Sequence, residues 1–467
     1  MGLNTRTIVR VPTVVLAVCL GAASTGAMLL AGCSGGSSGS SVPSGTQPHG
    51  VKHRAASTPI QHVVVIIQEN RTVDNIFNGF PGADTTRTGY DSNGNQHTLR
   101  QISFSNQCGP SHSHQQFVTE FNGGGMNGWD LASIACRNGY TLPDGAFAYV
   151  SPSETAGYWN VAKNYALADE VFQTNEGPSF PAHQYLIAGQ SGGHGSDGNW
   201  AFAENGPGSS SHSDPFDEGG ETGGHGCGGS QNADIVQIDM TSSYPGNEGN
   251  PTVPCKDYQT IFDLAMAQSP SLSWAYYAHR SGNLWSGVDA VQHLWQAGHH
   301  SITPETQVLT DIANHNLANI VYVTPSPRNS DHPHSSAEPA KAGPLWVAQV
   351  VNAIGQSSYW NNTTILVTWD DWGGWFDHAV YQGTMHPASN PADPYEYGFR
   401  VPLIVISPYV QAHMVDHTQR TFDSVMAYIE ATFGLGSVGQ QDTTTDDLSD
   451  MFNYGQTPLS FSPMPTH

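Results

Sequence analysis

Residues 63–67 read Val-Val-Val-Ile-Ile, and the chain then turns at once to Gln-Glu-Asn-Arg. A strand of five successive β-branched residues has no polar face to offer water, so both of its faces must be covered. That requirement points to a buried, mainly parallel sheet with helices on either side. The pattern recurs. Buried strands are predicted at 62–67, 170–173, 273–278, 320–323, 364–368 and 403–407, and helices at 158–167, 258–266, 345–354 and 422–432. Strand–helix alternation predicts a three-layer α/β/α sandwich over residues 59–436, with no internal repeat. Residues 437–467 read as a loose C-terminal tail.

In open α/β sheets ligands gather at the carboxyl ends of strands, and three strand ends here carry reactive side chains. The first strand runs straight into Glu69 and Asn70, whose oxygens suit a hard cation. The strand ILVTW ends in the adjacent acids Asp370 and Asp371, followed by Gly373-Gly374. Neighbouring carboxylates repel, so such a pair in a cleft implies a cation or a raised pKa. The strand DEVFQ leads through Gly177-Pro178 to Ser179, and Pro181 suits the first turn of a helix. Ser179 thus falls at a helix N-terminus, where backbone N–H groups favour an anion; its bland alternative is a simple N-cap. His112, His114 and His332 lie in polar loops, where they could hold phosphate oxygens or move a proton. His194, His212 and His225 lie in Gly-rich stretches and read as loop residues.

Arg6 and Arg10 precede an apolar run that closes in Leu30-Ala31-Gly32-Cys33. This reads as a secretory signal peptide over residues 1–32 with a lipobox, Cys33 taking a diacylglycerol. Residues 33–58 are a Ser/Gly-rich flexible linker. Cleavage would remove two Arg and no acid, taking the formal charge from −24 to −26. A chain so acidic repels nucleic acid. It would repel a phosphate ester as well, unless concentrated positive charge were supplied; with only 15 Lys and Arg, one divalent metal ion is the expected source. Beyond Cys19 and Cys33, the even set Cys108, Cys136, Cys227 and Cys255 reads as two disulfides in an exported chain. Of three pairings the most local, Cys108–Cys136 with Cys227–Cys255, is favoured; no CxxC spacing supports zinc. The expected location is the bacterial envelope, lipid-anchored and extracytoplasmic, with no protein partner implied.

Together these segments carry a resemblance. ENRTVDNIF resembles the ENRSFDHYFG box of the bacterial phosphoesterase family, which holds phosphatidylcholine-type phospholipases C, plant non-specific phospholipases C and certain acid phosphatases. CGPSHSHQQFVTEFNGGGMNGW, YWNVAKNYALADEVF, GPSFPAHQYLIAG, NSDHP, VTWDDWGGWFDHAV and YGFRVPLIVISPYV follow in the family's order. The resemblance implies an alkaline-phosphatase-like fold. It implies metal ligation by Glu69, Asn70, Asp370 and Asp371 with Ser179 as nucleophile and further ligand. It also implies phosphate contacts from His112 and His332, with His279 after WAYYAH a weaker candidate. The chain departs from the family at Asn75, Asn127 and Trp372, and in the last box, which is reduced to Asp423-Ser424.

The reading favoured at this point is an acid-phosphatase-like phosphomonoesterase. The alternative is a phospholipase C; Trp369, Trp372, Trp375, Phe376 and Phe180 could build either the narrow phosphate pocket the first needs or the apolar acyl groove the second needs. A second alternative is a non-catalytic, surface-anchored phosphate- or glycan-binding lipoprotein. The expected partners are a phosphate-ester small molecule or a phospholipid, and the membrane through the anchor.

Overall fold

The computed structural model describes residues 58–191, 200–202, 226–228, 235–239, 247–249, 252–333, 342–382, 397–438 and 445–466. The signal, the linker, Cys33, His194, His212 and His225 lie outside them. The main sheet has eight strands: β1 (His62–Gln68), β2 (Ala166–Phe172), β3 (Trp274–Tyr277), β4 (Ile320–Val323), β5 (Thr363–Trp369), β6 (Arg400–Ile406), β7 (Met414–Asp416) and β8 (Arg420–Thr421). Their order is β3-β4-β1-β5-β6-β2-β7, with β8 also paired to β2. Only β6 opposes its neighbours; every other pairing in this sheet is parallel.

Helices cover both faces, as the unbroken apolar strands demand. The Ser179–Ala188 helix packs with Ile261–Met266 and Phe422–Phe433; Ala342–Gly355 packs with Ala156–Asn164 and Gln307–Ala313. Register separates the two groups. Tyr322 is paired with Val65, and Val65 with Leu366, so these side chains and Thr364 share a face. From that face Tyr322 donates to Leu186 O at 3.0 Å, and Thr364 Oγ1 lies 2.7 Å from Tyr428 Oη. Trp369, of opposite parity, meets Tyr158 of the other group with ring centroids 5.0 Å apart. The result is the three-layer α/β/α sandwich with a mostly parallel sheet.

Two segments differ from expectation. β2 starts at Ala166, inside the stretch expected to be helical, because Asp169 and Glu170 masked a strand buried throughout. Their charges are met by tertiary partners: Asp169 Oδ2 accepts from Asp84 N–H at 2.7 Å, and Glu170 pairs with Arg400 at 2.9 Å. Residues 445–466 are packed rather than loose. Leu448, Met451 and Met464 are buried, and Leu459 O accepts from Trp360 Nε1 at 2.8 Å. A Cβ at Gly355 would sit 2.1 Å from the Phe461 ring, so that ring takes the space glycine leaves.

Cys108 is joined to Cys136, and Cys227 to Cys255. The first bridge ties two short antiparallel strands, Cys108–Pro110 and Ile134–Cys136. They hold the loop that carries His112.

Candidate functional site at the carboxyl end of the sheet

Side-chain alternation decides what each strand end presents. Gln68 and Trp369 are register partners on one face, and both bond Asp331. Asp331 N–H donates to Gln68 Oε1 at 3.0 Å, and Trp369 Nε1 donates to Asp331 Oδ2 at 3.1 Å. The next residues, Glu69 and Asp370, turn to the opposite face, where the Ser179–Ala188 helix lies. There Glu69 Oε1 is 3.2 Å from His183 Nε2, and Asp370 Oδ2 is 3.7 Å from the same nitrogen.

Asp371 reaches this face through the turn that follows the strand. Gly373 and Gly374 have φ of 63° and 70°, which a residue with a Cβ rarely adopts. A Cβ at Gly373 would lie 2.4 Å from Asn70 O, and one at Gly374 2.4 Å from Ser111 O. The Gly-Gly pair therefore lets the acidic turn nest against the loops that bring in Asn70 and His112. Gly373 N–H donates to Asp371 Oδ1 at 2.7 Å, leaving Oδ2 to face Ser179.

Ser179 is the first residue of its helix. Pro178 holds the cap position and makes no side-chain capping bond, so the N-cap reading of Ser179 fails. Its hydroxyl, fully buried, lies 3.1 Å from Asp371 Oδ2 and 3.3 Å from Glu69 Oε2. A single hydroxyl proton serves one of these carboxylates at a time.

Asn70 has φ of 66°, and its backbone N–H donates to Asp370 Oδ1 at 2.9 Å. Its side-chain Nδ2 lies 2.9 Å from His112 Nε2. An amide nitrogen only donates, so that imidazole nitrogen accepts and carries no hydrogen. His112 thereby orients the amide, leaving Asn70 Oδ1 buried without a hydrogen-bond donor among the described residues; Asp370 Oδ2 is in the same condition. A buried acceptor left so costs about 1–3 kcal/mol. Glu69, His183 and Asp370 each offer a donor atom, and these atoms lie within 4.8 Å of one another. Orphaned oxygens beside buried carboxylates fit a cation.

His332 Nδ1 is 2.7 Å from Pro333 O, so Nδ1 carries a hydrogen and Nε2 is the nitrogen able to exchange a proton. Its ring lies 5.8 Å from that of His112. His279 is not drawn in: its Nδ1 is 3.4 Å from Glu305 Oε2. His114 Nδ1 bonds Glu176 O at 2.8 Å. The structure thus gathers Glu69, Asn70, His112, Ser179, His332, Asp370 and Asp371, and leaves His279 aside. The five aromatics expected to wall either a narrow pocket or an acyl groove, Trp369, Trp372, Trp375, Phe376 and Phe180, are all buried, so they pack as core and line neither.

This end of the sheet is built from the segments that a family model recognises. The model of the Phosphoesterase family matches residues 60–436. The chain belongs to that family. It is 21% identical over 448 residues to non-specific phospholipase C6 of Arabidopsis thaliana, covering 87% of this chain and 75% of the relative. It is 22% identical to phospholipase C A of Mycobacterium tuberculosis, covering 88% and 80%. Among solved structures, a protein of the alkaline phosphatase superfamily from Vibrio parahaemolyticus covers 86% of this chain and 72% of its own, with a TM-score of 0.36 and 10% identity. The chain is a hydrolase of phosphoric ester bonds, and the non-catalytic alternative falls away.

Three residues of the site escaped sequence reasoning. His183 stands four residues after Ser179, on the same helix face, and that spacing was the available signal. Asp331 immediately precedes His332 and is anchored by Tyr158 Oη at 2.8 Å as well as by Trp369. Burial pushes its carboxyl up to about 6, against the nearby Arg71 charge. Glu120 is buried and receives Trp372 Nε1 at 2.7 Å; desolvation holds its carboxyl well above the ordinary range. Neither acid carried a sequence signal. A second acid–histidine group, Asp74, Asp377 and His378, surrounds Arg400, whose Nε donates to Asp377 Oδ1 at 3.0 Å. The guanidinium already supplies the cation there.

Proposed function

We propose that the protein cleaves phosphoric esters through Ser179, by way of a phosphoseryl intermediate. The observation that carries this reading is the Ser179 hydroxyl, buried at a helix N-terminus between Glu69 and Asp371. A divalent cation held by Glu69, Asn70, Asp370 and Asp371, with Ser179 beside them, would lower the hydroxyl pKa and offset charge on the phosphoryl oxygens.

Ser179 Oγ attacks phosphorus in line, and its proton passes to the facing carboxylate, Asp371 being the nearer. The backbone N–H groups of the helix start receive a phosphoryl oxygen as charge builds on it. The bond to the leaving oxygen breaks, and His332 protonates that oxygen from Nε2, held in place by its Nδ1–H bond to Pro333 O. His112 keeps the Asn70 amide turned so that Oδ1 faces the site. Water then attacks the phosphoseryl phosphorus and gives a proton to the vacated His332 Nε2; the P–Oγ bond breaks, Asp371 returns its proton to Ser179 Oγ, and the phosphoryl product leaves.

Two substrate readings each have an observation behind them. Relatives named phospholipase C, two of them matched over most of their length, favour a phospholipid whose headgroup leaves with the phosphate. The full burial of Ser179, Glu69, Asp370 and Asp371 favours a small phosphomonoester. Phosphatidylcholine in mixed micelles, a phosphodiester and a phosphomonoester, each assayed with and without chelator, separate them. Release of phosphocholine supports the first, and orthophosphate from the monoester alone supports the second. No turnover of any of the three sinks the proposal. Export and anchoring through Cys33 would place such an enzyme on the outer side of the cell membrane.

A further inference from the structure

The sequence pointed to an all-oxygen cation site, yet the fully buried side chain that closes it is an imidazole. Tyr276 decides which nitrogen of His183 faces the carboxylates. Its hydroxyl has one proton, and Trp285 O, at 2.8 Å, can only accept it. Gly287 N–H, at 3.2 Å, donates to the same phenol oxygen. Toward His183 Nδ1, at 3.3 Å, the phenol oxygen is therefore an acceptor, and Nδ1 carries the hydrogen. In the neutral ring that leaves the Nε2 lone pair aimed at Glu69 Oε1, 3.2 Å away, and Asp370 Oδ2, 3.7 Å away. A lone pair so close to two carboxylate oxygens is repelled; a proton on Nε2 or a metal cation between them removes the repulsion, and the metal cation also satisfies Asp370 Oδ2, which has no hydrogen-bond partner among the described residues.

The spacing fits that cation. Two donors each about 2.1 Å from one ion stand about 3.0 Å apart at a right angle and about 3.4 Å apart at a tetrahedral angle. The two observed separations lie near these values. The position follows from the helix as well, since His183 lies one turn beyond Ser179 and both side chains meet Glu69.

We infer that His183 Nε2 is a direct ligand of the cation, held in its tautomer by Tyr276, and that the mixed nitrogen–oxygen set selects a transition cation such as Zn2+ or Co2+ over Mg2+ or Ca2+. The inference rests on the cation reading of the site given above. Imidazole suits the borderline metals, whereas Mg2+ and Ca2+ take oxygen donors. Tyr276 acts as a positioning residue; such partners of a ligating histidine typically contribute 10–100-fold to metal affinity.

The test is a pair of competitive titrations, Zn2+ and Mg2+, on metal-stripped full-length protein, for wild type, His183→Gln and Tyr276→Phe. Zn2+ affinity should fall at least about tenfold in both variants while Mg2+ affinity stays within about threefold. Unchanged Zn2+ affinity in a folded His183→Gln would overturn the ligand, with the cation reading left standing. Wild type that binds neither ion would overturn the cation reading itself, and the ligand with it. Should His183→Gln not fold, X-ray absorption on Zn2+-loaded protein carrying His112→Asn and His332→Asn together decides, because His183 is then the imidazole of the described site left to face the carboxylates. Imidazole scattering supports the ligand, and an all-oxygen shell refutes it.

Discussion

Ser179→Ala separates a nucleophile from a structural serine, because the structure fixes how small the purely structural cost must be. Ser179 is buried at the first position of its helix, with Pro178 at the cap, so the usual N-cap loss of about 1 kcal/mol does not apply. The change removes one oxygen and its bond to Asp371 at 3.1 Å or Glu69 at 3.3 Å. Bonds to charged acceptors contribute about 1.5–3 kcal/mol, and relief of an immobilised hydroxyl offsets part of that. The helix, the amide of Asn70 and all three carboxylates stay in place, so folding and cation content should persist. Loss of the attacking oxygen is another matter: kcat on a chromogenic phosphate ester should fall by about 10^3-fold or more, roughly 4 kcal/mol of barrier. Phosphate should still bind. The assay is kcat and KM for both proteins, with metal content measured by elemental analysis on the same samples. A variant keeping more than about a tenth of wild-type kcat, under about 1.4 kcal/mol, would show that water attacks directly and that Ser179 has no covalent role.

Asp370→Asn combined with Asp371→Asn should leave circular dichroism unchanged while the bound divalent ion disappears from elemental analysis; full occupancy would refute the ligand set. Chelation of the wild type should lower the melting temperature, since an ion at 100 times its Kd stabilises by about 2.7 kcal/mol. Burial pulls the His378 imidazole down, but the hydrogen bond and charge of Asp74, with Asp377 beside it, outweigh burial and lift it to about 9. A raised histidine contributes stability that is complete below its unfolded value near 6.5 and is lost as pH rises through 9. Thermal melts should therefore decline over that window, and His378→Gln should flatten the decline; an unchanged slope would refute the coupling. Labelled fatty acid should enter the wild-type chain in a bacterial host and not Cys33→Ser, and equal labelling of both would remove the anchor.

The local pattern of residues was enough for much of the architecture. β-Branched runs with no polar face require two covering layers, so the sandwich and five of its eight described strands were legible, as were the strand ends bearing Glu69, Asn70, Asp370 and Asp371. β2 was legible only in part, because Asp169 and Glu170 look like surface residues until Asp84 and Arg400 stand opposite them. The packed C-terminal segment was hidden for a similar reason: Leu448 and Met451 make a single i,i+3 pair and Met464 stands 13 residues further on, too few to read as a period, yet all three are buried in the core.

At the site, sequence supplies a menu of donors, and tertiary structure chooses among them. Period-two alternation put Glu69 and Asp370 on one face, but only the register of β1 with β5 made it the same face of the same sheet. Ser179 looked like a cap until Pro178 was seen to occupy that position. His279 and His183 are both histidines near strand or helix ends. One pairs with Glu305, and the other closes the carboxylate cluster. No local rule distinguishes them, because the difference lies in which partner each meets in the fold: Glu305 for His279, and Glu69 and Asp370 from distant strand ends for His183. Spacing along the chain fixes which side chains share a face, whereas the packing of one element on another fixes what that face touches.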